Sequence, residues 1–270
     1  MKPLLMDIIR DETNDFRRRN TTREYLQARI LLALQDHGAF SNWAFVGGTA
    51  LRLLFQLPRY SEDLAFSITT PGADARFEKF MQSVRADLAA EGYAVEVKAS
   101  TRATVASAFV KFRGLLSELG LSLHLDEVFT VKVEIDTNPP EGAQTATRLV
   151  RRFVMLNLLH YDRASLLAGK LHALLTRKYT KGRDLYDLAW YLADPNWPTP
   201  NLTQLNNALQ QTGWDGPDAT LENWRAVVRD KLATVNWKRA LQDVTPFLER
   251  RQDADLVSRD ALLPLLADRH

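Results

Sequence analysis

The 270 residues contain no cysteine. That excludes disulfides and cysteine-ligated zinc, and it fits a reducing compartment. No apolar run approaches the ~20 residues needed to cross a bilayer. The opening residues, Met1-Lys2-Pro3-Leu4-Leu5-Met6-Asp7, reach an acidic side chain too early for a secretory signal. A cytoplasmic protein with no membrane partner is the expectation. Net charge is also scarce: 35 basic against 33 acidic residues leave +2, which singles out no partner. Internal repeats and low-complexity tracts are absent. Apolar residues are plentiful at 46%, enough for a proper core, and the length suits two modest domains or one large one.

Charge is nonetheless uneven. Arg148, Arg151, Arg152, Arg163, Lys170, Arg177, Lys178, Lys181 and Arg183 crowd one region. Two readings are open, a solvated helix face or a phosphate-rich substrate.

Hydrophobic periodicity divides the chain. A short amphipathic helix is expected over 4–16. Thr21 and Glu24 read as a capping box that opens a helix to Gln35. Period-two alternation then marks strands from Tyr93 onward, after a helix over 74–90. Val95 and Val97 alternate with charged neighbours, and Val105 to Phe112 reads as a second strand. Val131-Lys132-Val133-Glu134-Ile135-Asp136 sets apolar groups on one face and Lys132, Glu134 and Asp136 on the other. One more strand is expected over Arg148 to Leu156. Beyond Tyr161 the pattern is helical: 163–178, 183–192, 202–211, 218–234, 237–251 and 258–268. The expected division is residues 1–160, a mixed α/β core with N-terminal helices, and 161–270, a helical domain.

The stretch most suggestive of chemistry runs from Phe45 to Ser67. A short apolar strand leads through Gly47-Gly48-Thr49 into a helix, and the chain returns as Arg59-Tyr60-Ser61-Glu62-Asp63-Leu64-Ala65-Phe66. Glycines at a helix N-terminus let an anion approach free backbone N–H groups. A carboxylate on the next strand can hold Mg²⁺ against a bound phosphate. Asp63 is the natural ligand, with a turn-capping aspartate as its plain alternative. Arg59 suits either phosphate or an acidic side chain of the scaffold. Ser61 suits backbone capping better than reaction.

Gly-Gly-Thr-Ala-Leu followed by Arg-x-Ser-x-Asp-Leu-x-Phe resembles the signature of the AbiEii/AbiGii-type toxins, nucleotidyltransferases of the DNA polymerase β-like superfamily. A later segment, Lys170-Leu171-His172-Ala173-Leu174 and Arg183-Asp184-Leu185-Tyr186-Asp187-Leu188, resembles the family's later motifs. The resemblance implies an α/β (α+β) nucleotidyltransferase core with a mixed sheet and a C-terminal helical lobe. It implies a toxin of a type IV-like toxin–antitoxin or abortive-infection system. Such an enzyme takes NTP and Mg²⁺, passes a nucleotide to an RNA such as tRNA or to a protein, and has a cognate antitoxin. Carried onto this chain, Gly47, Gly48, Thr49, Arg59, Ser61 and Arg177 are expected at the nucleotide. Asp63 and Glu134 are expected at the metal; Asp63, Lys170 and Asp184 are expected in catalysis. Asp136 is an alternative to Glu134, and His172 is expected only to pack.

The chain departs from the family where an Asp-x-Asp pair is expected, because position 65 is alanine. Three readings are open: a substitution that silences a toxic enzyme, a natural variant that recruits Glu134 or Asp136, or a dead member that only binds.

Overall fold

The structure, a computed structural model, describes residues 2–267. It separates into two compact units. The first comprises Met1–Leu54, Glu62–Pro139 and Thr147–His160; the second comprises Phe55–Ser61, Pro140–Ala146 and Tyr161–His270.

The first unit opens with helices α1 (Lys2–Ile9) and α2 (Asp15–Asp36). α2 begins earlier than the Thr21–Glu24 pattern suggests. Asn14 is its N-cap, accepting from the Arg17 amide, so Thr21 and Glu24 lie in its interior. Then follow β1 (Trp43–Val46), α3 (Gly47–Phe55), β2 (Leu64–Ile68), α4 (Phe77–Ala90), β3 (Val95–Ser100) and β4 (Val105–Phe112). A short α5 (Leu115–Glu118) precedes β5 (Phe129–Asp136), β6 (Thr145–Arg151) and β7 (Met155–Tyr161). The single strand expected over 148–156 is thus two strands, broken by the turn at 152–154.

Among the described residues the strands form one seven-stranded sheet, ordered β3-β4-β5-β2-β1-β7-β6. β2 runs antiparallel to β1 and parallel to β5, so the sheet is mixed as expected. Side-chain alternation decides its faces. Ala106, Ala108, Val110 and Phe112 of β4 and Val131, Val133 and Ile135 of β5 are buried. α2 and α4 pack together on this part of the sheet. Trp43 anchors that layer against Phe66, Phe77 and Phe80, with its indole N–H donating to the Ala75 carbonyl at 3.0 Å. On the opposite face of β4, Val105 and Phe109 are exposed.

The second unit contains α6 (Arg163–Thr176), α7 (Gly182–Ala193), α8 (Leu202–Gln211), α9 (Trp224–Leu232), α10 (Trp237–Val244) and α11 (Arg259–Leu265). α6 packs on α7 and α8, while α7 packs on α10 and α11. Segment 55–61 joins this unit through buried Leu57 and Arg59, through an amide bond from Tyr60 to the Phe247 carbonyl at 2.8 Å, and through a bridge between Arg59 and Leu248.

Gly182 shows how closely α7 and α10 approach. A Cβ there would fall inside van der Waals contact of the Ala240 carbonyl oxygen, a backbone atom with no rotamer to yield. Gly182→Ala is expected to destabilise the chain by about 3 kcal/mol, measured by urea unfolding, the upper end for overpacking. An unchanged midpoint would show that the helices separate freely.

Candidate active site

The glycine turn lies in the first unit. Gly47 has φ +79°, a left-handed conformation that side chains other than glycine's rarely adopt. A Cβ on it would sit 3.3 Å from that of Ala65. The absent side chain therefore lets the end of β1 lie close against β2. α3 begins at this turn, so the amides of Gly48 and Thr49 lie in its first turn, where backbone N–H groups lack helical partners.

β1 and β2 pair with Val46 opposite Ala65. The ladder ends there, since the chain turns into α3 at Gly47, and a direct contact reaches Asp63: the Thr49 hydroxyl donates to the Asp63 carbonyl at 2.5 Å. Thr49 is buried while Asp63 is exposed, so the hydroxyl is committed to the backbone while the Asp63 carboxylate stands at the surface.

On the other side of β2, the parallel register places Ala65 opposite Glu134 and Ser67 opposite Asp136. The Glu134 carboxylate pairs with Lys132 at 2.5 Å, and Asp136 accepts from the Asn138 amide at 2.9 Å. Arg23 on α2 was not singled out by any motif, yet it lies in the field of Glu62 and Asp63. Burial lowers its pKa, while the charges of Glu62 and Asp63 oppose that. Its guanidinium also donates to the Thr130 carbonyl at 3.1 Å.

Among the described residues no three His, Cys, Asp or Glu side chains are grouped to hold a metal. The donor set does not make a self-sufficient cage: position 65 offers no oxygen and Glu134 already faces a lysine. It does suit an ion that arrives with a nucleotide, since Mg²⁺ commonly takes one or two carboxylates plus substrate phosphates. Asp63 would be that carboxylate, while Glu134 lies opposite Ala65.

The second unit holds the other expected residues. Asp187, fully buried on α7, takes both Arg59 Nε at 2.6 Å and Nη2 at 2.7 Å, and also Lys170 at 2.6 Å. Lys170 reaches Asp184 at 3.1 Å, and Arg177 pairs with the other Asp184 oxygen. Arg59 spends its remaining Nη1 on the Tyr60 carbonyl at 2.9 Å. Its guanidinium is 2% exposed, so the acidic scaffold, not a surface phosphate site, is what it meets here. Ser61 is buried as well. His172 contacts the Thr212 hydroxyl at 3.0 Å, consistent with packing. Three cations and two carboxylates make a network of net charge +1. Asp187 had appeared in the sequence only as part of a motif; its central place comes from one turn of helix, which sets it and Asp184 on the same side of α7.

Solved structures share the fold. The chain matches a crystal structure described as a proposed nucleotidyltransferase from H. pylori, with TM-score 0.54 and 16% identity over 92% of this chain and 97% of that one. It also matches JHP933 from Helicobacter pylori, with TM-score 0.53 and 16% identity over 92% and 90%. At such identity the likeness is one of fold. No curated protein matches significantly. The sequence model of the AbiEii nucleotidyl transferase toxin, type IV toxin–antitoxin system, matches residues 29–259. The chain belongs to that family. Membership implies a nucleotide substrate, a divalent metal and a partner antitoxin. No helix among the described residues is long and apolar enough to cross a membrane.

Burial pushes the Asp187 carboxyl up, but the charges and hydrogen bonds of Arg59 and Lys170 outweigh it and hold the pKa below the ordinary 3.8. A depressed folded-state pKa contributes stability above the unfolded value and loses it as pH falls through the folded one. Wild-type stability should therefore decline below about pH 4 as this group protonates. Asp187→Asn should lower stability at pH 7 by about 3–5 kcal/mol, because Arg59 is left buried without its charge partner. It should also flatten the acid limb in a pH series of urea unfolding. An acid limb identical to wild type would remove Asp187 from that role.

Proposed function

We propose that the chain transfers a nucleoside monophosphate from an NTP to an RNA acceptor such as tRNA. The observation that carries this reading is the exposed Asp63 carboxylate held beside the Gly47-Gly48 turn. Gly48 and Thr49 offer backbone N–H groups to the phosphates, and Gly47 keeps the approach open. Asp63 holds the metal that accompanies the nucleotide. That ion, Mg²⁺ in this proposal, would be held by Asp63 and would supply charge neutralisation at the phosphates when bound. Thr49 acts through its amide and through the Asp63 backbone, not through its hydroxyl.

The family's later motifs supply the remaining roles. Lys170 and Arg177 contribute positive charge for phosphate, and Asp184 accepts the proton of the attacking hydroxyl. The net positive balance of their network supports the first role. Arg59 serves by holding Asp187, which in turn fixes Lys170. The basic residues between Arg148 and Arg183 support an RNA acceptor, with protein as the alternative acceptor.

Ala65 favours a second reading, a nucleotide- or RNA-binding member that transfers little. Position 65 lies opposite Glu134 and against Gly47, so an aspartate there would complete a carboxylate pair with Asp63 on one strand face.

Incubation of the chain with labelled NTPs, Mg²⁺ and total tRNA, with cell protein in a parallel reaction, tests both readings. Ala65→Asp should raise transfer by roughly 10²–10³-fold, the usual weight of one preorganised electrostatic group, and Asp63→Asn should abolish it. Label appearing on protein alone would replace RNA as acceptor. Absence of transfer in every version, with NTP binding retained, would establish the binding-only reading; absence of both would end the nucleotide assignment.

A further inference from the structure

The peptide planes on either side of Asp63 are each gripped by a buried side chain. Gln27 Nε2, on α2, donates to the Glu62 carbonyl at 2.9 Å; that oxygen belongs to the peptide preceding the Asp63 Cα. The Thr49 hydroxyl, on α3, donates to the Asp63 carbonyl, which belongs to the peptide following it. Fixing both planes fixes the φ and ψ of residue 63, and with them the direction in which its side chain leaves the backbone.

The two gripping helices are tied to each other. Glu24, one turn before Gln27 on α2, pairs with Arg52, one turn beyond Thr49 on α3. Arg152 closes on the other Glu24 oxygen at 2.6 Å. Gln27 and Thr49 are each 1% exposed and Glu24 is 2% exposed, so their side chains are turned to the interior. The result is a closed polar frame, α2 to α3 through Glu24–Arg52, α3 to the chain through Thr49, and α2 to the chain through Gln27.

We infer that Gln27 and Thr49 are positioning residues that aim the Asp63 carboxylate through its own backbone. This rests on the proposed role of Asp63 in holding the metal that accompanies a nucleotide. A shift on the ångström scale at such a group is enough to cost substantial rate.

Two measurements on the full chain test it. The first needs no nucleotide: amide hydrogen exchange across residues 62–65 in Thr49→Val, which keeps the shape and removes the donor. Exchange there should quicken about tenfold, the effect of one lost hydrogen bond, and Thr49→Ser should restore protection. The second is calorimetric affinity for ATP, GTP, CTP and UTP in turn, with and without Mg²⁺. Gln27→Met should reduce the Mg²⁺-dependent gain in affinity about tenfold while leaving metal-free affinity within about twofold. Adding Gln27→Met to Asp63→Asn should cost nothing further, because the glutamine acts through that one carboxylate. A purely structural glutamine would instead lower both affinities together and add to Asp63→Asn, and that result, or unchanged exchange, overturns the inference. Where Gln27→Met does not fold, the exchange measurement on Thr49→Val decides. A wild-type chain whose NTP affinity ignores both Mg²⁺ and Asp63→Asn overturns the proposed function, and the clamp then stands or falls on exchange alone.

Discussion

β2 is the strand on which the arrangement depends. It pairs antiparallel with β1 on one side and parallel with β5 on the other, so its register is set twice. A slip of one residue would turn Asp63 and Ala65 to the buried face and bring Leu64 and Phe66 out. Leu64 and Phe66 are fully or almost fully buried, and that burial is what keeps the carboxylate at the surface. The same register puts Ala65 between Gly47 and Glu134. Core packing and the geometry of the candidate site are therefore one constraint.

Each unit also contains a buried charge network, built with a different apparent purpose. In the first, Glu24 joins Arg52 and Arg152 and ties helices that frame the glycine turn. In the second, Asp187 binds Arg59 and Lys170. Such networks contribute little net stability compared with apolar packing of the same volume, since desolvation offsets most of the attraction. Their value is geometric: a bidentate arginine–carboxylate pair accepts few orientations. Arg59 thereby fixes segment 55–61 within the helical unit, although its neighbours in sequence on both sides belong to the other unit.

Much of the fold was legible in the sequence. Period-two alternation marked β4 and β5, the apolar run Trp43 to Val46 marked β1, and helices such as 202–211 were recovered with their ends. Failures had specific causes. Thr21 and Glu24 satisfy a capping pattern, but Asn14 caps the helix instead, and Glu24 is an interior buried ion. The turn at 152–154 contains neither glycine nor proline, so β6 and β7 merged into one expected strand.

For the candidate site the division is similar. Local sequence alone determined the glycine turn, the exposed acid after it and the motif spacing that marks the family, because strand and helix periods are properties of short stretches of backbone. Only the tertiary structure decided that Thr49 and Gln27 hold the Asp63 backbone, that Arg59 meets Asp187, and that Ala65 lies beside Glu134. Those partners are separated by 14 to 128 positions along the chain. Nothing in a residue's type records which distant group will share its desolvated space; packing makes that choice.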